Sequence, residues 1–418
     1  MNTMAANVKS RTLVVVPSVR IWFDGTDYVL DRKYFDGMQL YARLWPGRVR
    51  CIMSVSSAPM PAFGLVSVSL DNALFDITVL EAGEPVRAEH LGDAVAVLAS
   101  GDSHDHLHLS RLCRMLGVKC AYIIEYIPET RYQIAALNAA NRLIAMRRAL
   151  YIWRGERCRQ RAFACADGIQ ANGIAAFNHY KSYRRAMFYF DTRVVADQCV
   201  RVEEIEQRTA QLQRSRTLRL AFSGRLARMK GADHLVPLAA RLRELGVNFT
   251  LDIFGAGDQE EAMRAAIARL DLDAHVTLHG VVDFEKALLP ALKSRIDLFV
   301  MLHRQSDPSC TYLETLACGV PIVGYDNRAF AGLLELADVG WSAPMNDVRA
   351  VADIIVRLSG DFGEIRRKSL SGAHFARGHG FEAEFRRRID HLLEMVDAGG
   401  DRRTDRAIGA QGDGITAG

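Results

Sequence analysis

The sequence predicts an α/β protein built from two Rossmann-like domains, each with its own parallel sheet. The chain has 418 residues, 49% of them hydrophobic, which is enough for two cores of ordinary size. Short apolar segments alternate with amphipathic helical patterns along almost the whole chain, which is typical of parallel sheets. A polar segment of helical period, residues 191–215, separates the two halves and is poor in core residues.

The first half is predicted to alternate strands with helices. The strands are Thr12–Pro17, Val49–Val55, Phe75–Leu80, Ala94–Ala99, Cys120–Glu125 and Gly168–Ala171, and helices include Arg32–Leu44 and Leu107–Leu116.

The alternation in the second half is cleaner. The predicted strands are Leu218–Ser223, Phe249–Phe254, Val276–Leu278, Leu298–Leu302, Pro321–Gly324 and Val339–Ala343. The predicted helices are Asp233–Leu245, Gln259–Leu270, Glu285–Leu292, Ser309–Cys318, Ala329–Leu336 and Val348–Leu358. We therefore divide the chain into an N-terminal domain at 1–200, a C-terminal domain at 201–380 and a final helix at 381–397. The tail at 398–418 is low in apolar residues and rich in Gly and Asp, so we expect it to be disordered.

Composition argues against several classes of function. Lys and Arg number 53 against 49 Asp and Glu, with no long block of one sign, which gives little support for a nucleic-acid partner. No apolar run approaches the roughly 18 residues that span a bilayer, and the N-terminus lacks the pattern of a signal peptide, so we expect a cytoplasmic protein. Eight scattered cysteines without a Cys-x-x-Cys pair indicate neither a zinc site nor a disulfide framework.

The segment Ser306–Asn327 is the most informative of the chain. It links two predicted buried strands through a polar loop and a helix, and ligands of parallel sheets lie beyond such strand ends. Backbone N–H groups near Ser309, Cys310 and Thr311 would attract an anion. Glu314 lies on the same helical face and can accept hydrogen bonds from sugar hydroxyls, although a solvated glutamate on a surface helix has the same pattern.

A second loop begins where the strand Leu218–Ser223 ends. Arg225 and Lys230 lie five residues apart on this loop, between Gly224 and Gly231, and can converge on a diphosphate. Two solvated loop cations are the alternative.

A third turn contains Gly255 and Gly257, directly after the strand Phe249–Phe254. The two glycines would let the backbone approach a ligand, but a tight strand-to-helix turn is the commoner reason for such a pair.

Together these segments resemble the donor-binding half of retaining GT-B-fold glycosyltransferases of the family 4 type, the glycosyl transferases group 1. The match comprises Gly224-Arg225 with Lys230-Gly231, the turn 253–257, and the run 313–323. The resemblance implies two Rossmann-like domains facing across a cleft, with the acceptor bound by the first and a nucleotide diphosphate sugar by the second. It also implies transfer of a sugar to a hydroxyl with retention, with no cofactor or metal besides the donor.

The resemblance assigns roles to individual residues. Arg225 and Lys230 would hold the donor diphosphate, with Gly224, Gly255 and Gly257 shaping the site. Glu314 would bind the ribose, and the loop from Ser306 to Thr311, with Ser309 and Cys310, would bind the transferred sugar and its phosphate.

Two positions depart from the family pattern. The first glutamate of the usual pair is replaced by Ser306 followed by Asp307, and Asp307 either reaches the same sugar hydroxyls or caps the helix. Glu125 stands where the family commonly has a histidine, and it either binds an acceptor hydroxyl or pairs with Arg131.

A cluster of histidines, 104–108, suggests a metal site at first sight, but its spacing fits no closed site. We expect no metal there, and we place His104 on the acceptor side of the cleft or in a solvated loop.

The segment 141–163 carries seven arginines, with Leu143, Met146, Leu150 and Trp153 on one face. Such a helix can lie on an anionic membrane, or it can pack on its own sheet with a solvated basic face, which is the commoner case.

The predicted function is transfer of a sugar to a saccharide or lipid-linked saccharide at the inner membrane face, as in assembly of bacterial surface polysaccharide or glycolipid. Two alternatives stay open: a nucleotide-sugar epimerase of the same fold, and a non-catalytic relative that binds nucleotide sugars.

Overall fold

The computed structural model describes residues 11–60, 64–68, 73–137 and 141–409. Two separate parallel sheets form the body of the protein, so the predicted fold class is confirmed. Residues 1–10 of the predicted first domain and 410–418 of the predicted tail lie outside the described residues.

The N-terminal sheet is seven-stranded, in the order β10-β9-β8-β7-β1-β4-β6, and every pairing in it is parallel. Its strands are β1 Thr12–Val16, β4 Arg48–Ser54, β6 Asp76–Leu80, β7 Ala94–Ser100, β8 Lys119–Ile124, β9 Gly168–Asn172 and β10 Ala186–Tyr189. A small antiparallel sheet was not predicted, because its strands are very short; it consists of β2 Trp22–Phe23, β3 Tyr28–Asp31 and β5 Leu65–Val68.

Two helices of this half begin at positions with a side-chain cap. The Asp31 side chain accepts a hydrogen bond from the Tyr34 N–H at 2.9 Å, and Asn141 accepts one from the Ile144 N–H at 2.9 Å, which satisfies amides that lack a partner within the helix. The helices are α1 Arg32–Leu44, α2 Leu109–Leu116, α3 Pro128–Leu137, α4 Arg142–Cys165 and α5 Gly173–Tyr180.

The C-terminal sheet is six-stranded, in the order β13-β12-β11-β14-β15-β16. Its strands are β11 Leu218–Ser223, β12 Phe249–Phe254, β13 Val276–Gly280, β14 Leu298–Met301, β15 Ile322–Tyr325 and β16 Gly340–Ala343. Its helices are α6 Val202–Ser215, α7 Ala232–Glu244, α8 Glu260–Arg269, a π-helical turn Phe284–Leu288, α9 Leu289–Arg295, α10 Thr311–Ala317, α11 Arg328–Leu336, α12 Val348–Leu358 and α13 Phe362–Gly378.

Helix α6 corrects the prediction that the segment between the two halves is poor in core residues. Ile205 and Leu212 are buried, and the buried Arg208 guanidinium donates hydrogen bonds to carbonyl oxygens of the C-terminal domain, including that of Cys318 at 3.0 Å. The polar composition misled the prediction because one arginine here satisfies main-chain acceptors inside the protein.

The last helix, α14 Phe381–Gly409, returns to the N-terminal sheet. Its side chains Phe385, Ile389, Leu392 and Met395 are buried in one core with residues of β1 and α1. The backbone is helical from 398 to 409, where disorder was predicted.

Helix α4 divides into two halves. Ala162 and Phe163 in its second half are buried in the core beside the sheet. Packing on the sheet, the commoner of the two interpretations of the basic segment, is therefore right for this half only. The first half, Arg142–Arg154, contains no buried residue.

No helix in the described part of the chain is long and apolar enough to cross a membrane.

Candidate active site

The two strongest sequence motifs meet in the folded chain. Lys230 lies on the loop after β11 and Asp307 on the loop after β14, 77 residues later, and Nζ of Lys230 is 2.8 Å from Oδ2 of Asp307. Both side chains are largely shielded from solvent. The other carboxylate oxygen of Asp307, Oδ1, is buried without a hydrogen-bond partner among the described residues. Asp307 therefore binds the loop cation, and the interpretation of it as a helix cap is wrong.

The two glycine turns pack directly on each other. The Gly224 N–H donates to the Phe254 carbonyl oxygen at 3.0 Å, and a Cβ on Gly255, whose φ is +126°, would lie 2.0 Å from the Gly224 oxygen. A Cβ on Gly257 would lie 2.4 Å from the Leu226 oxygen. No side chain fits at these distances, so Gly255 and Gly257 hold the cationic loop in place through backbone contact.

Arg225 lies on the outer part of that loop. Its side chain is exposed, and it forms no hydrogen bond or ion pair with any residue that the structure describes. The guanidinium is therefore available to an anionic ligand at the strand end.

The loop before α10 contains a turn of its own. The helix begins at Thr311, later than predicted, since the Ser309 N–H donates to the Asp307 carbonyl oxygen at 2.9 Å and closes a turn. The Ser309 hydroxyl donates to Thr311 Oγ1 at 3.1 Å. The Ser309 amide is thus already satisfied, which leaves Cys310 and Thr311 as the predicted amides nearest the helix start.

Ser306 has a different neighbour from the one expected. Its hydroxyl is buried and accepts a hydrogen bond from the Arg328 N–H, the first amide of α11, at 3.1 Å. In this structure the hydroxyl positions α11 and is not directed at a sugar.

Glu314 is buried and bound to an arginine of the segment that joins the domains. Arg193 Nε is 2.7 Å from Oε1 of Glu314, and its guanidinium lies 3.5 Å above the Phe284 ring. Any ribose that binds Glu314 must displace Arg193 or share the carboxylate with it. Sequence reasoning missed Arg193 because it precedes Glu314 by 121 residues and belongs to no motif.

A cavity of about 350 Å³ lies in the N-terminal domain at the carboxyl ends of β1, β7 and β8. Residues from α1 and α14 close its sides, and much of its lining is aromatic or aliphatic. The polar groups in the lining include Lys33, Asp102, Glu125, Tyr126 and Asp191.

Glu125 is the predicted acceptor-side residue that lines this cavity. Its main-chain N–H donates to Asp102 Oδ2 at 2.9 Å, and its carboxylate accepts a hydrogen bond from Asn172 at 3.4 Å. Arg131 pairs with Asp102 and Glu156, so the alternative pairing of Arg131 with Glu125 is wrong. Burial, followed by the charges of Asp191 and Asp102, raises the pKa of Glu125 to about 7.

Asp191 connects the cavity to the loop before α10, because it lines the cavity and also lines a small pocket with Pro308 and Ser309. Lys33 Nζ is 2.5 Å from Asp191 Oδ2. Burial alone would lower the pKa of Lys33, but Asp191, Cys310 and Glu314 raise it above its usual range. The carboxylate of Asp191 and the carboxylate of Glu314 on α10 therefore act on the same ammonium group.

Tyr126 makes a second link between the two regions. Burial raises the pKa of its phenol to about 12, with further contributions from Glu125 and then Asp307. A single phenol is thus near a carboxylate of the cavity and near the carboxylate that binds Lys230.

His104 lies away from this cluster. Its ring is exposed and meets the Tyr151 ring of α4 edge-on at 5.4 Å between centroids, and it does not line the cavity. Within the described residues, no group of three His, Cys, Asp or Glu side chains is arranged to hold a metal ion.

Comparison with known proteins adds to this geometry. Residues 203–369 match the family model for glycosyl transferases group 1. The amylovoran biosynthesis glycosyltransferase AmsK of Erwinia amylovora is 30% identical over 154 residues, which are 34% of this chain and 36% of AmsK. The putative colanic acid biosynthesis glycosyltransferase WcaL of Escherichia coli K12 is 27% identical over the same shares of the two chains. The matched stretch thus spans little more than a third of each of these relatives.

The likeness to solved structures extends over nearly the whole chain. Anabaena Alr3699/HepE, crystallised in complex with UDP, superposes with a TM-score of 0.62 at 14% identity, covering 92% of this chain and 99% of that one. The predicted GT-B arrangement of two parallel-sheet domains is confirmed by this likeness. The matched residues 203–369 include Arg225, Lys230, Asp307 and Glu314.

The raised pKa of Glu125 predicts how stability depends on pH. In the unfolded chain Glu125 has its ordinary pKa of 4.5. It therefore loses its proton at a lower pH than in the folded protein, where its pKa is about 7. The folded state therefore holds the extra proton, and the free energy of unfolding falls as the pH rises from about 4.5 to about 7, by on the order of 2 kcal/mol.

Glu125→Gln should remove this loss, because the amide does not ionise. Urea unfolding of the wild type and the variant at pH 5 and pH 8 measures it, with the exposed Glu335→Gln as the matched control. Parallel pH dependences of the wild type and Glu125→Gln would contradict the raised pKa.

Proposed function

We propose that this protein is a retaining glycosyltransferase that moves a sugar from a nucleotide diphosphate sugar to a hydroxyl acceptor. The observation that carries the proposal is the 2.8 Å contact between Lys230 and Asp307, which brings two separately predicted motifs to one place. Glu314 lies on the helix that follows, and Asp191, which lines the cavity with Glu125, also lines a small pocket with Ser309 and Leu313. This arrangement supports a donor on the C-terminal side and an acceptor on the N-terminal side of one cleft.

The proposed reaction depends mainly on positively charged side chains near the departing diphosphate. When the bond between the sugar and the diphosphate breaks, negative charge grows on the departing phosphate, and fixed positive groups stabilise it. Arg225 provides a planar fork, and Lys230 provides a point charge once it exchanges Asp307 for phosphate. These side chains supply positive charge of their own, so we propose that transfer requires neither a metal ion nor another cofactor.

We propose two successive roles for the Asp307 carboxylate. Before the donor binds, its carboxylate holds the Lys230 ammonium in the cleft. Once phosphate takes over Lys230, the carboxylate is free to accept hydrogen bonds from hydroxyls of the donor sugar. This accommodates the replacement of the usual glutamate, because Ser306 is engaged with α11.

The acceptor is proposed to enter the N-terminal cavity. Glu125 can accept a hydrogen bond from the attacking hydroxyl, and its pKa of about 7 leaves it partly ionised near neutral pH. The aromatic and aliphatic walls suit the apolar face of a sugar ring or the first part of a lipid-linked saccharide.

The cellular role we propose is assembly of bacterial surface polysaccharide or glycolipid, in the cytoplasm at the inner membrane face. The names of AmsK and WcaL, which refer to the biosynthesis of amylovoran and of colanic acid, support this role.

The test begins with a thermal-shift screen of the protein against a panel of nucleoside diphosphates and their sugars, since a specific ligand stabilises the folded state by mass action. The donor that stabilises most is then incubated with saccharide acceptors in EDTA, and the anomeric configuration of the product is read by NMR. We expect a product with retained configuration at unchanged rate in EDTA. Absence of any nucleotide-dependent shift, or conversion of the nucleotide sugar to an isomer without acceptor, would overturn the proposal.

A further inference from the structure

The first half of α4 presents a helical face that no other part of the described structure covers. None of its residues from Arg142 to Arg154 is buried. Four apolar side chains recur at intervals of three or four residues and so form one stripe along the helix. They are unusually exposed for large apolar residues: Leu143 69%, Met146 65%, Leu150 51% and Trp153 48%.

Further exposed apolar side chains lie on and beside the same helix. Tyr151 of α4 is 65% exposed, and Met115 at the end of α2 is 78% exposed. Helix α2 packs against α4, with Arg114 Nη2 donating to the Cys165 carbonyl oxygen at 2.9 Å. Because this contact is at the last residue of α4, Met115 lies at the other end of the helix from the stripe. The stripe together with Tyr151 forms the exposed apolar surface at the first half of the helix, and a surface of this kind marks a site of interaction.

The same face is strongly cationic. The exposed arginines of α4 flank the apolar stripe; they are Arg142, Arg147, Arg154, Arg157 and Arg161. The helix contains a single acidic residue, Glu156, which is buried and paired with Arg131 and Arg159 inside the protein. No carboxylate on the exposed side of the helix therefore balances the arginines.

The apolar stripe and the exposed arginines together indicate which kind of partner can cover this face of α4. A second copy of the chain would bring one set of arginines against another. A nucleic acid would use the arginines and leave the apolar stripe in water. A bilayer with anionic headgroups satisfies both, because its phosphates attract the guanidinium groups and its acyl boundary takes up the apolar side chains.

We propose that the first half of α4 lies in the surface of an anionic lipid bilayer. Leu143, Met146, Leu150 and Trp153 insert at the boundary between headgroups and acyl chains, and the flanking arginines bind lipid phosphates. Trp153 suits such a boundary, and the guanidinium of Arg157 lies 5.2 Å from its ring centroid.

Contact between α4 and a bilayer would also orient the N-terminal cavity relative to the membrane. Below the exposed half of α4, Glu156 and Arg159 connect the helix to the end of β7, where Arg159 Nε donates to the Gly101 carbonyl oxygen at 2.7 Å. The next residue, Asp102, binds the Glu125 main chain and lines the cavity. The element on the membrane is thus the one that supports the cavity wall.

The experiment is co-sedimentation of the full chain with two kinds of vesicle. One is phosphatidylcholine alone, and the other contains about 30 mol% phosphatidylglycerol, for which we expect at least roughly tenfold tighter binding. An apolar variant, Met146→Ser/Leu150→Ser/Trp153→Ser, and a charge variant, Arg147→Gln/Arg154→Gln/Arg157→Gln, should each lose at least roughly tenfold in affinity for the anionic vesicles.

Matched controls change equally exposed residues elsewhere. The apolar control is Phe23→Ser/Val202→Ser/Val281→Ser, and the charge control is Arg201→Gln/Arg264→Gln/Arg386→Gln. Both should bind vesicles as the wild type does. A second readout is a blue shift of tryptophan emission on adding anionic vesicles, which Trp153→Phe should remove while the protein stays folded.

Three results would overturn the proposal. The first would be failure of the wild type to bind anionic vesicles. The second would be binding of the α4 variants as tight as that of the controls. Alternatively, the α4 variants change only the oligomeric state or only the affinity for duplex DNA, which would assign the face to another occupant. Vesicle binding needs no donor or acceptor, so its outcome is independent of the proposed glycosyl transfer.

Discussion

Replacing Lys230 with alanine is expected to reduce kcat/KM for sugar transfer by roughly 100- to 1,000-fold. The ammonium group is the one cation of the loop that contacts the second motif, at 2.8 Å from Asp307, so it is placed where both strand ends converge. Its loss removes positive charge that would stabilise the departing diphosphate. Steady-state kinetics with the donor identified by thermal shift measures the effect.

A second variant separates catalysis from stability. Lys230→Ala leaves the carboxylate of Asp307 without its cation in a largely shielded place, which lowers stability as well. Lys230→Ala/Asp307→Ala removes both charges and should recover stability but not activity. The control is Arg228→Ala, an exposed cation two residues earlier on the same loop. Near-normal turnover of Lys230→Ala would contradict the proposed diphosphate clamp.

Glu314→Gln is expected to weaken nucleotide binding by roughly 10- to 100-fold, because hydrogen bonds to a charged acceptor are stronger than those to a neutral one. The loss should be specific to the sugar of the nucleotide. The wild type should bind a nucleoside diphosphate much more tightly than its 2′,3′-dideoxy analogue, and Glu314→Gln should discriminate between the two roughly 10- to 100-fold less than the wild type does. Isothermal titration calorimetry of both ligands measures the difference.

Arg193→Gln is the matched control for this prediction. It breaks the same 2.7 Å ion pair as Glu314→Gln but keeps the carboxylate. It should therefore still discriminate between the nucleotide and its dideoxy analogue. If Glu314→Gln discriminates as well as the wild type does, the assignment of Glu314 to the ribose is wrong.

Local chemistry explains why much of the C-terminal domain could be predicted from the sequence. A buried strand, a glycine turn and a helix each have a pattern in adjacent residues. The loops that carry Lys230 and Asp307 could therefore be placed at strand ends. Their contact then follows from topology, because β11 and β14 are neighbours in the sheet.

The partners that the sequence does not reveal are joined only by tertiary structure. Arg193 binds Glu314 across 121 residues, and Lys33 binds Asp191 across 158. Neither pair has a local pattern, since a single charged residue on a loop resembles any solvated one.

Helix α4 shows a different limit of sequence reasoning. Its apolar stripe predicts an amphipathic helix, but periodicity cannot say what covers the stripe. The pattern was compatible with packing on the sheet, and only the fold places Leu143 and Leu150 in solvent.

The return of α14 to the N-terminal sheet makes that domain discontinuous along the chain. A fragment ending near residue 200 would expose the apolar surface that Phe385, Ile389 and Leu392 cover, so it should not be expected to fold as an independent unit. The two stretches of chain that cross between the domains are also joined to each other, by a hydrogen bond from the Phe381 N–H to the Val194 carbonyl oxygen at 2.9 Å. Opening and closing of the cleft would therefore bend both crossings about one shared hinge axis. Because Phe381 and Phe385 also line the N-terminal cavity, that bending would alter the shape of the cavity.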